Sequence, residues 1–85
     1  MARSIPSAER IQRARALILK ARELPVPEDG GKYNFSYIAQ VKDLLRQARD
    51  LVKFIPLQPS ATPQIKEEVN AVLAEADQAN REILL

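Results

Sequence analysis

Five cations make the sharpest chemical pattern in this sequence. Lys42, Arg46, Arg49 and Lys53 recur at spacings of four, three and four, which sets them in one row along a helix. Lys66 follows Thr62-Pro63, at the positively polarised start of the next helical segment. If the two segments fold back on each other, Arg49, Lys53 and Lys66 come close enough to form an anion or phosphate site. The same row also fits the solvated edge of a helix, where long aliphatic stems cover the margin of a core. No aromatic residue interleaves the row, and a net charge of +2 is low for a nucleic-acid surface. The solvated edge is the favoured reading.

Other residue types narrow the chemistry further. The chain has no His and no Cys, which removes the commonest general base near neutral pH, thiolate nucleophiles and thiolate metal sites. Gly30-Gly31-Lys32 has the composition of a phosphate loop, but Tyr33 stands where Ser or Thr is required and no strand pattern precedes it. It reads as a turn. Glu67, Glu68, Glu75 and Asp77 do not read as a metal site, because the inward positions of their segment are valine and alanine. Leu19 lies off the apolar stripe of its segment, among Gln12, Arg15, Arg22 and Glu23, and is a candidate contact for a partner. Phe54 is also off-stripe, and Ile5, Pro6 or Leu57 is expected to cover it.

These residues need elements to position them. Two Pro-bearing breaks, Pro25 to Lys32 and Pro56 to Thr62, divide the 85 residues into three helical segments with no strand-like alternation. The first is expected at 8–24, with Ser7 as N-cap and Ile11, Ala14, Leu17, Ile18, Ala21 and Leu24 on one face. The second is expected at 35–55, with Asn34 as N-cap, Tyr33 stapled on Ile38, and a seam of Ile38, Val41, Leu45, Ala48, Val52 and Ile55. Tyr37, Leu44 and Leu51 widen that seam along one flank. The third is expected at 63–84, with Thr62 as N-cap and Pro63 at the first helical position, where its missing N–H is harmless. Its seam is Ile65, Val69, Val72, Ala76, Ala79 and Ile83. Facing heptad seams predict one all-α domain, an antiparallel up-down-up three-helix bundle. A single register, with Val52 beside Val69 and Leu45 beside Ala76, suits the hairpin of helices 2 and 3.

Charge predicts how the bundle closes. The first segment is basic and the last is acidic, with Glu68, Glu75 and Glu82 one heptad apart. One closure sets those glutamates against Arg15 and Arg22, and sets Asp43 and Asp50 against Lys20 and Arg13. The opposite hand brings like charges together. Each exposed pair contributes only ~0–1 kcal/mol, so the bias is modest but favours the first arrangement.

A chain with 46% hydrophobic and 28% charged residues is expected to fold as a small soluble domain. It has no apolar run of membrane-spanning length, so no membrane partner is expected and a cytoplasmic location is the default. The reading that results is a non-enzymatic interaction module without cofactor, which binds another protein through its helix grooves or its Leu19 face. The alternative is an accessory protein that binds anions or nucleic acid through the helix 2 row. Oligomeric state is left open.

Overall fold

A computed structural model describes residues 5–85. Three helices, α1 (Ser7–Glu23), α2 (Phe35–Val52) and α3 (Pro63–Leu84), all pack on one another, and the described residues contain no strand. The all-α three-helix bundle read from the sequence is the fold.

The helix ends follow from the residues that flank them. Asn34 caps α2, its Oδ1 accepting from the Tyr37 N–H at 3.0 Å, and its Nδ2 donates back to the Asp29 carbonyl at 2.9 Å. Thr62 caps α3, its Oγ1 accepting from the Ile65 N–H at 3.1 Å, with Pro63 opening the helix. Ser7 does not cap α1, contrary to expectation. The Pro6 carbonyl already accepts from the Arg10 N–H at 3.0 Å, so Pro6 is the cap residue, no side chain caps the helix, and Ser7 lies inside its first turn. Glu9 still favours that positively polarised end.

Prolines end the helices earlier than the apolar pattern suggests. α1 stops at Glu23 rather than residue 24, because Leu24 precedes Pro25 and takes an extended ψ of 129°. α2 stops at Val52 rather than residue 55. Pro56 has no N–H to give the Val52 carbonyl, and the chain instead makes a short 3-10 turn over Ile55–Leu57. Ile55 keeps its place in the core despite leaving the helix. A second 3-10 turn, Gly31–Tyr33, leads into α2, and both Gly30 (φ 83°) and Gly31 (φ 54°) adopt the left-handed backbone that glycine tolerates best. The expected staple of Tyr33 on Ile38 finds no support, since this turn leaves Tyr33 largely exposed.

The core is apolar throughout the described residues. Val41, Leu45, Val52, Val69 and Val72 are fully buried, and five alanines (Ala14, Ala21, Ala48, Ala76 and Ala79) let the helix backbones approach closely. Tyr37, expected on a flank, is 5% exposed and belongs to the core, whereas Ile38 is only partly buried.

Candidate functional site

Three of the four cations of the α2 row are engaged by carboxylates. Arg46 pairs with Asp43 at 2.5 Å, Lys53 with Asp50 at 2.9 Å, and Arg49 reaches across to Asp77 of α3 at 3.9 Å. Gln47 also donates to Asp43, at 2.7 Å. The hydrogen bond from Arg46, then that from Gln47, holds the Asp43 carboxyl below its ordinary pKa, and the bond from Lys53 does the same for Asp50. Lys53 is turned towards its own helix, with its Nζ 5.0 Å from the Phe54 ring centroid. Lys42 and Lys66 are exposed. Arg49 and Lys53 thus point to different carboxylates, and neither shares one with Lys66 among the described residues.

Between α1 and α3 the charges meet as the sequence suggests. Arg15 Nε lies 3.3 Å from Glu75 and Arg22 Nη2 lies 2.9 Å from Glu82. The matching expectation for α1 and α2 fails. Arg13 pairs with Glu9 of its own helix at 3.2 Å, while Asp43 and Asp50 pair within α2. The aspartate carboxylate is one methylene from its backbone, and a cation three residues on lies beside it. The neighbouring helix axis is ~8–10 Å away.

Leu19 is 54% exposed, in the C-terminal half of α1. It lines a groove together with Ile18, Arg15, Arg22 and Glu75. Ile18 is buried at its base, and the two arginines pair with Glu75 and Glu82. An apolar contact between two ion-paired guanidinium groups results. Phe54 is 61% exposed and lines a small depression with Arg10 and Gln58, so the expected apolar cover does not form.

Three features escaped the sequence reading. The first is a groove on the far side of the α1–α2 pair from α3, with Leu17 and Leu51 as its floor and Arg10, Arg13, Lys20 and Asp50 at its edges. The second is Arg10, whose guanidinium donates to the Leu51 carbonyl at 3.3 Å and the Ile5 carbonyl at 3.4 Å. It places a cation on the negatively polarised end of α2. Its signal was present: Arg10 occupies the heptad position that Leu17 and Leu24 fill further along. The third is the exposed pair Tyr33 (73%) and Phe35 (89%), which flank the Asn34 cap at the end of the bundle where Lys32 bonds the Leu85 carbonyl at 2.9 Å.

No helix among the described residues is long and apolar enough to cross a membrane. No protein-family model, curated protein or solved structure matches this chain.

Proposed function

We propose that the chain is a non-enzymatic protein-interaction module of the cytoplasm, and that it receives an apolar side chain of its partner in the Leu19 groove between α1 and α3. The observation that carries this reading is Leu19 itself, 54% exposed between two arginines that already pair with carboxylates of α3. Groove walls ordered before the partner arrives lose less side-chain entropy on binding. The two carboxylates offset the guanidinium charges, so the groove favours an apolar anchor over an anion. The alternative, anion or nucleic-acid binding by Lys42, Arg46, Arg49 and Lys53, is disfavoured by the carboxylates that engage three of these four.

The test is a comparison of affinity captures from native lysate, using the wild-type chain and Leu19→Lys. A protein retained by the first and lost from the second supports the reading, provided circular dichroism shows an unchanged helix content. Equal retention by both rejects the Leu19 groove. Retention of nucleic acid that falls steeply with salt, and that is lost in Arg46→Ala/Arg49→Ala, supports the alternative.

A further inference from the structure

The groove on the far side of α1 and α2 carries its own complement. Leu17 and Leu51 line it, and Leu44, one heptad before Leu51 on α2, is also half-buried. The contact from Arg10 to the Leu51 carbonyl places these two residues near one level of the pair. One heptad up α1 and one heptad down the antiparallel α2, Leu17 stands level with Leu44. Leu17, Leu44 and Leu51 therefore form one apolar strip along the outer face of the pair.

Charges flank this strip with opposite sign on its two sides. On α1, Arg13 and Lys20 are one heptad apart; on α2, Asp43 and Asp50 are one heptad apart. Arg13 and Asp50 have the same offset along the antiparallel helices as Lys20 and Asp43, because each residue of one pair is one heptad from its counterpart in the other. Arg13, Asp43 and Asp50 each pair with a neighbour on their own helix and not across the groove.

We propose that this face binds a second copy of the same chain, as a symmetric dimer whose twofold axis runs parallel to the helices. Rotation by half a turn about such an axis leaves every level unchanged and lays α1 of each copy over α2 of the other. Neighbouring helices in the resulting layer of four are all antiparallel, the arrangement of an up-down four-helix bundle. The leucine strips meet at the centre. Arg13 faces Asp50 of the partner subunit, and Lys20 faces Asp43 of the partner subunit, at both ends of the interface. The other symmetric closure, with the axis across the helices, lays α1 on α1 and sets Arg13 and Lys20 against the same two cations. Charge therefore selects the first closure. A foreign helix would need an acidic and a basic flank at this same spacing, which the chain's own face already supplies. The proposal is independent of the Leu19 reading, because Leu19 lies on the opposite side of α1, towards α3.

Sedimentation equilibrium across a concentration series, with the full chain, tests it. The wild-type average mass should rise from the monomer value of 9.6 kDa towards twice that value. Arg13→Glu/Lys20→Glu makes both flanks acidic, and Asp43→Lys/Asp50→Lys makes both flanks basic. Each double variant alone should stay monomeric at every concentration, with its helix content preserved by circular dichroism. An equimolar mixture of the two should recover the doubled mass, because each acidic flank now meets a basic one. A wild-type mass that never exceeds the monomer overturns the proposal. So does a mixture that stays monomeric, or dimerisation of either variant alone.

Discussion

Arg22 of α1 reaches Glu82 of α3 at 2.9 Å, one heptad beyond the Arg15–Glu75 contact at 3.3 Å. The repeat fixes two properties together. α1 and α3 run parallel, because both pairs span the same sequence separation, and the basic flank of α1 faces α3. With the other hand of bundle, Arg15 and Arg22 would face the cationic row of α2. A double-mutant cycle on Arg22→Ala and Glu82→Ala should give a coupling of ~0.2–1 kcal/mol that shrinks with added salt. The side chains are 37% and 46% exposed, which keeps the expected value within the range of exposed pairs. A coupling indistinguishable from zero at low salt would remove charge as a reason for the observed hand.

Leu45 is the largest of the fully buried side chains and stands at the middle of the α2 seam. Leu45→Ala should destabilise the fold by ~2–5 kcal/mol, measured by urea or thermal denaturation. Against the ~4–13 kcal/mol expected of a chain this size, that is a large share. A loss below ~1 kcal/mol would place Leu45 outside the tightly packed core.

The helix caps separate correct from incorrect readings of the sequence. Thr62→Ala and Asn34→Ala each remove a side-chain acceptor from an N–H of the first turn, and each should cost ~0.5–2 kcal/mol. Ser7→Ala should be close to neutral, because the Pro6 carbonyl and not the Ser7 hydroxyl serves the start of α1. Equal losses at all three positions would contradict the assignment of Pro6 as cap.

How much was legible in the sequence follows from the range of each interaction. Heptad seams such as Val41-Leu45-Ala48-Val52 state a periodic, local rule, and so did the Asn34 and Thr62 caps; the three helices were readable from them. The end of α2 was not, because Pro56 acts backwards on a carbonyl four residues earlier while Ile55 still satisfies the apolar pattern. Long arginine and glutamate side chains bridged α1 and α3 as their flanks predicted. Short aspartates chose neighbours on their own helix, a preference that flank positions alone do not reveal. Of the candidate site residues, Leu19 was identifiable as an off-stripe leucine, and the structure adds the ion-paired arginines beside it. Convergence of Arg49, Lys53 and Lys66 depended on side-chain directions that no helical wheel supplies.

The aspartates of α2 should titrate low. Hydrogen bonds from Arg46 to Asp43 and from Lys53 to Asp50 favour the ionised forms, so both folded-state pKa values lie below the ordinary 3.8. A depressed carboxylate pKa contributes stability above the unfolded-state value and loses it as pH falls through the folded-state value. Carboxyl-carbon NMR should therefore show Asp43 and Asp50 midpoints below those of an unstructured aspartate. Lys53→Met should return Asp50 towards the ordinary value and leave Asp43 unmoved. A shift of both would mean that the general field of the row, and not the individual bonds, holds the carboxylates low.

Arg10 offers the last prediction, since its role is structural and its neighbours on α1 supply the control. Its guanidinium bonds two backbone carbonyls, Ile5 ahead of α1 and Leu51 in the last turn of α2, and so ties the first residues of one helix to the end of another. Arg10→Met keeps the aliphatic stem over the edge of the core and removes only the hydrogen bonds and the charge. Bonds of 3.3–3.4 Å from a half-buried cation are long, which sets the expected loss at ~1 kcal/mol rather than at the ~1.5–3 kcal/mol of a short charged bond. Arg13→Met, which within one copy of the chain loses only an exposed pair with Glu9, should cost ~0.5 kcal/mol or less at concentrations where the chain is monomeric. Hydrogen exchange adds the location: amides in the last turn of α2 should exchange faster in Arg10→Met, while those around Asn34 at the far end of α2 keep their protection. Uniform loss along the helix would show that Arg10 supports the bundle as a whole and not the junction at Leu51.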